Sequence, residues 1–180
     1  VFRFGRNVDA CYIAAGGAIL ALWFAAPWQL LSDPDAVPRM EIFTGMLVYD
    51  PFSIFIRSLL LCFAFLFMIF TKLSGIPDQE DGPDIYCMVL GATLGMCLMA
   101  SANHLLMVFM AVEMASVPSY VLAGMLKGRR IASEAAIKYS IYGAGASGVM
   151  LYGISLVTGL LNTAHLPTIA LELSERLPAM

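Results

Sequence analysis

The sequence predicts an all-α, polytopic membrane helix bundle of about five transmembrane helices. Three observations carry that prediction. Hydrophobic residues make up 60% of the 180 and charged residues 13%, with a mean hydropathy of +0.82. A water-soluble domain carries about 45–50% apolar and roughly 25% charged residues, so this chain lacks the charge to cover a globular surface. The apolar residues are gathered into long runs, and the segments between the runs are short. A net charge of −3, few charges and no repeat exclude disorder, collagen and nucleic-acid binding together.

A membrane helix needs ~20 mostly apolar residues, because each adds about 1.5 Å across a ~30 Å hydrocarbon core. Five stretches meet or approach that length, roughly 8–29, 50–71, 85–102, 104–126 and 132–160. The first lacks a basic n-region followed by a small-residue cleavage site, so it reads as a span and not a signal peptide. The chain opens on Val1 rather than Met and closes after a polar, Pro-containing stretch, which suggests a single membrane domain, 1–180, cut from a longer polypeptide. Residues 30–38 are turn-rich, and 40–49 place β-formers around Thr44-Gly45, a weak signal for a short extramembrane hairpin. Asp50-Pro-Phe-Ser opens the second span. The third and fourth are parted only by Ala102-Asn103-His104 and must form a tight antiparallel helical hairpin. Internal Gly and Pro do not count against spans, being commoner in membrane helices than in soluble ones.

Five spans put the two ends on opposite sides of the membrane. Arg3, Arg6, Lys72, Lys127, Arg129 and Arg130 fall on one side, six cations against Arg39 and Arg176 on the other. The positive-inside rule then assigns the N-terminus, the 72–84 loop and Lys127–Arg130 to the cytoplasm, and residues 30–49 with the C-terminal tail to the opposite face. Asp78, Glu80, Asp81 and Asp84 make the 72–84 loop acidic, but acids weigh little in this rule.

Within apolar spans the exceptions carry the information. Glu113 lies near the middle of the fourth, where an acid costs on the order of 3 kcal/mol even on the lenient insertion scale. It is expected to face protein or water. Ser116 and Tyr120 follow at i+3 and i+7, giving one face a carboxyl, a hydroxyl and a phenol. Pro118 lacks an N–H and deprives the Met114 carbonyl of its helical partner, a natural place for a water. These features suit a proton relay; the alternative is a structural carboxyl tied to a neighbouring helix, with Pro118 a simple kink. Glu134 and Lys138 stand four apart at the start of the fifth span, acid first, the favourable order for a helical ion pair. Ser133 is placed to cap that helix, with Glu134 in its first turn. A lysine snorkelling to the headgroups explains them equally well, although Lys138 lies about two turns inside Ile131.

The remaining features read blandly. Gly143, Ala144, Gly145, Ala146, Ser147 and Gly148 suit close helix packing. Arg57 is expected to snorkel or to pair with Asp50, and His104 lacks the companions a metal site needs. Cys11, Cys62, Cys87 and Cys97 lie inside spans, with no CxxC and no metal spacing. No phosphate-cradling loop, nucleophile triad or cofactor fingerprint is visible, so any chemistry is vectorial.

Three patterns give these residues a wider context: Glu113-Met-Ala-Ser-Val-Pro118-Ser-Tyr120-Val-Leu, Ser133-Glu-Ala-Ala-Ile-Lys138-Tyr139, and Ser147-Gly-Val-Met-Leu-Tyr152-Gly-Ile-Ser. Over roughly residues 84–160 the chain resembles the antiporter-like membrane subunits of respiratory complex I, and among them subunit N of NADH–quinone oxidoreductase. Residues 1–48 and 161–180 agree only in hydropathy and loop type.

The resemblance implies a larger antiporter-like fold of about fourteen helices, of which this chain would supply the second to the sixth. It implies that Glu113 occupies the fifth-helix position of the proton path, and that Glu134 and Lys138 occupy the acid and lysine at the start of the sixth helix. It further implies proton translocation coupled to electron transfer elsewhere, in a bacterial inner membrane. NADH, flavin, iron–sulfur clusters and quinone would bind partner subunits, with no cofactor or metal in this chain. The expected partners are the other membrane subunits of complex I and the lipid bilayer, and no nucleic acid. The family's lysines on the seventh, eighth and twelfth helices have no counterpart within these five spans, so a full proton path is not contained here. A subunit of a multisubunit cation/proton antiporter, or a truncated non-pumping scaffold, would share the same helices.

Overall fold

The structure, a computed structural model, describes residues 10–25, 28, 38–75, 82–125 and 130–176. The chain order is α1 (Ala10–Phe24), β1 (Met40–Ile42), β2 (Leu47–Tyr49), α2 (Pro51–Ser74), α3 (Gly82–Met99), α4 (Leu105–Ala123), α5 (Arg130–Leu161) and α6 (Leu166–Arg176). Helices α2 to α5 are each long and apolar enough to cross a membrane, and α1 is a shorter apolar helix over its described 15 residues. The turn-rich segment 30–37, the acidic 76–81 and the cations Arg3, Arg6, Lys127 and Arg129 lie outside the described residues.

Local chemistry sets the helix boundaries. Asp50 caps α2 in a reciprocal box: its carboxylate accepts from the Ser53 amide at 2.7 Å, while the Ser53 hydroxyl meets the Asp50 amide at 3.1 Å. Pro51 fills the first turn, where its missing N–H costs nothing, and Gly75 closes the helix at φ 62. With its carboxylate committed to the cap, Asp50 does not pair with Arg57. That side chain instead donates to Ser53 Oγ at 3.3 Å and lies over the Tyr49 ring at 5.7 Å. At the start of α4, His104 Nδ1 accepts from the Leu106 amide, so this histidine is a helix cap.

Two expectations at the ends of α5 fail. Ser133 is not a cap and Glu134 is not in the first turn, because α5 already begins at Arg130. Arginine favours helix, and Arg130 already belongs to it. Beyond residue 161 the chain is not a plain polar tail. Asn162 turns left-handed at φ 53, and α6 follows with Pro167 in its first turn. Leu166, Ile169 and Leu173 recur at helical spacing, and Ile169 is buried.

The helices alternate, so the hairpin, the α3–α4 link and the α5–α6 link gather at one end. They join into a single hydrogen-bonded cap. Strand β1 pairs antiparallel with β2, Met40 opposite Tyr49 and Ile42 opposite Leu47. The Val48 amide then bonds Ser101 O at 2.8 Å, and the Asn103 amide bonds Met46 O at 2.9 Å. The Leu166 amide bonds Asn103 O at 3.0 Å, and the Leu105 amide bonds Ala164 O at 2.8 Å. Asn103 is the keystone: 4% exposed, its Nδ2 reaches Glu41 Oε1 and Gly45 O at 3.2 Å each and His165 Nε2 at 2.9 Å.

Below the cap, small residues let helices approach closely. Cys11, Ala14 and Ala18 of α1 pack on Ala64 and Met68 of α2 and on Tyr86 of α3. Gly95 of α3 presses directly on the backbone of α4 at Met114 and Ala115. This is the tight hairpin expected for the third and fourth spans.

Candidate functional site

Helix α4 presents Glu113 at its ninth residue of nineteen, halfway along the span. The carboxyl is half-buried and points to α5, where Ser147 Oγ donates to Glu113 Oε1. The same hydroxyl lies 2.8 Å from Gly143 O, one turn back on its own helix. Toward the opposite end from the cap, Tyr120 continues the contact. Its phenol lies against Gly143, at a place a Cβ would fill, and its ring meets Tyr139 edge-on at 4.7 Å between centroids. The Ser119 hydroxyl lies 2.6 Å from Ser116 O and 3.2 Å from the Tyr139 phenol.

Along α5 the matching residues are Tyr139, Gly143 and Ser147, each four after the last. That spacing returns to one helix face, and this face carries the contact with α4. Elsewhere α5 is open: Ile137, Tyr142, Val149 and Leu160 are exposed side chains suited to lipid or to further helices.

The expected site residues separate into three groups. Glu113 and Tyr120 do share the face toward α5. Ser116 does not join them through its hydroxyl, which turns back to Val112 O at 2.7 Å. Pro118 sits within a helix that runs unbroken to Ala123, near Gly91 of α3. The neighbouring Met114–Ala115 backbone, where a water was expected, is met by Gly95. Glu134 and Lys138 form the anticipated ion pair at 2.6 Å, with side chains 64% and 66% exposed. Lys138 is nine residues from Ser147 on α5, an axial separation of about 13 Å. The structure therefore does not bring Lys138 to Glu113; Tyr139, Tyr120 and Ser119 occupy the interval.

Sequence reasoning placed Ser147 among packing residues and passed over Ser119 and Tyr139. The available signal was the four-residue spacing of Tyr139, Gly143 and Ser147. Glu41, Asn103 and His165 gave none, because they meet only through the cap. Among the described residues, no three His, Cys, Asp or Glu side chains are grouped to hold a metal, and the four cysteines are free thiols.

Residues 102–178, from the keystone asparagine through α4, α5 and α6, match the family described as NADH:quinone oxidoreductase/Mrp antiporter, transmembrane. NADH-quinone oxidoreductase subunit N of Anaeromyxobacter is 39% identical over 96% of this chain and 32% of its own length. Subunit N 2 of Chloroherpeton thalassium is 43% identical over 69% of this chain and 25% of its own. The chain belongs to the family of antiporter-like membrane subunits shared by NADH:quinone oxidoreductases and Mrp antiporters. A solved member, in respiratory complex I from Thermus thermophilus with bound aureothin, superposes with a TM-score of 0.68 and 30% identity. That likeness covers 92% of this chain and 36% of the other. The chain thus spans about a third of the length of the antiporter-like subunits it matches.

Proposed function

We propose that this chain is part of a proton-translocating membrane subunit of a bacterial NADH:quinone oxidoreductase, and that Glu113 carries the proton. The observation supporting this most directly is a half-buried carboxyl midway along an apolar helix, bonded to a hydroxyl of the next helix. A unit positive charge brought within about 4 Å of a carboxylate stabilises its ionised form by ~4 kcal/mol at an effective dielectric near 20. A cation approaching and leaving Glu113 would therefore expel a proton and take one up. Lys138, held by Glu134 at the far end of the Tyr139–Tyr120 interval, would tune or feed the side that the loop cations assign to the cytoplasm. The N-terminus would lie on that side, and the hairpin, the α3–α4 link and α6 on the other.

In this reading NADH oxidation, the flavin and iron–sulfur centres and quinone reduction belong to partner subunits. The chain's own partners are membrane subunits of the complex and the bilayer. The family is shared with Mrp antiporters, which supports a second reading: a subunit of a cation/proton exchanger driven by an ion gradient.

The two readings separate in inverted vesicles from cells carrying the intact subunit. If the first holds, NADH acidifies the lumen and a sodium gradient alone does not, and deleting the subunit removes the NADH-driven signal. Acidification by the sodium gradient without NADH would favour the exchanger and reject the oxidoreductase reading.

A further inference from the structure

We infer that Ser147 is a positioning residue for proton carriage, a rotatable hydroxyl that satisfies Glu113 in both of its protonation states. The inference rests on the role proposed above for Glu113. It follows from counting donors and acceptors. A serine hydroxyl has one proton, two acceptor lone pairs and a free rotor. Ser147 Oγ has two acceptors within reach, Glu113 Oε1 across the helix boundary and Gly143 O at 2.8 Å on its own helix.

When Glu113 is ionised, Ser147 directs its proton to the carboxylate. When Glu113 is protonated, the carboxylic O–H donates to Ser147 Oγ, and the serine proton swings to Gly143 O. The translocated proton arrives and leaves with Glu113, and Ser147 keeps its own throughout. No heavy atom need move, and the Glu113 Oε1–Ser147 hydrogen bond persists in both states. A carrier must have this property, because a site that satisfies only one state holds the carboxyl there. Other hydroxyls on these helices are differently placed: Ser116 and Ser140 bond carbonyls of their own helix, Val112 O and Ala136 O. Tyr120 lies against Gly143 and holds the α4–α5 register next to this pair.

The test uses the intact subunit in its assembled complex, in inverted vesicles, scoring protons moved per NADH oxidised. Ser147→Thr and Ser147→Val have nearly the same shape and differ in the hydroxyl. The threonine variant should keep the ratio near wild type, while the valine variant should lower the Glu113-dependent part of the ratio about tenfold, the effect of one lost hydrogen bond to an ionisable group. Equal ratios in the two variants, whether both normal or both low, would overturn the inference, since size and not the hydroxyl would then decide. Glu113→Gln runs alongside. If it abolishes pumping while the valine variant pumps normally, Ser147 is excluded and the Glu113 reading stands. If it too pumps normally, the reading beneath fails.

Discussion

The approach of α3 to α4 gives a prediction whose size follows from the geometry. A methyl added at Gly95 would stand 2.5 Å from the Ala115 amide nitrogen and 2.9 Å from both Ala115 Cα and Met114 C. Ordinary contact begins at 3.4 Å, so the helices must part by about 1 Å there. The obstructing atoms are backbone, which cannot swing aside. Over-packing of this kind costs ~1–3 kcal/mol, and alanine's better helix propensity recovers at most about 1 kcal/mol. A net loss of about 1–2 kcal/mol lowers Tm by about 2–8 °C for a chain of this size. Gly91 is the internal control, since its methyl would meet only Pro118 Cγ at 3.5 Å, and Gly91→Ala should leave Tm unchanged or raise it by up to about 4 °C. Thermal unfolding of the purified subunit in lipid nanodiscs reads both variants. If Gly95→Ala melts with the wild type, α3 and α4 do not approach this closely at Ala115.

Other consequences follow from the cap and from the exposed ion pair. Asn103→Ala removes donors from Glu41 and Gly45 O and should cost about 2 kcal/mol. The amides of Val48 and Leu166, which bond across the cap, should then exchange hydrogen about thirtyfold faster, and unchanged exchange would show the cap holds without the asparagine. Glu134→Ala breaks an ion pair more than half exposed on both sides, so it should alter stability by no more than ~0.5 kcal/mol, read as a Tm shift within error. Lys138→Ala should match it in stability yet lower NADH-driven pumping several-fold. Equal pumping in the lysine variant and wild type would leave the pair with a surface role alone.

The long apolar helices were legible because insertion into hydrocarbon imposes length and apolarity on each residue of a segment, a pattern that α2 to α5 carry. Glu113 was legible for the same reason, as a costly exception in an otherwise apolar run. The hairpin was legible at Thr44-Gly45, where the chain turns through residues of positive φ. Helix α6 was overlooked because residues 161–180 were weighed by polarity, although Leu166, Ile169 and Leu173 already had helical period. Ser147 was not legible, since a serine in a run of glycines and alanines looks like packing until its neighbour is known. The Glu41–Asn103–His165 cluster is the extreme case: its members are 62 residues apart in sequence, and only the alternation of four spans brings them to one end.

The most direct test is the number of protons moved per NADH oxidised by a complex whose subunit carries Glu113→Gln. Glutamine keeps the shape and still accepts from Ser147, but binds no proton. Assembly should be intact and the ratio should fall while NADH oxidation continues. An unchanged ratio in an assembled, fully active complex would make Glu113 a structural link between α4 and α5.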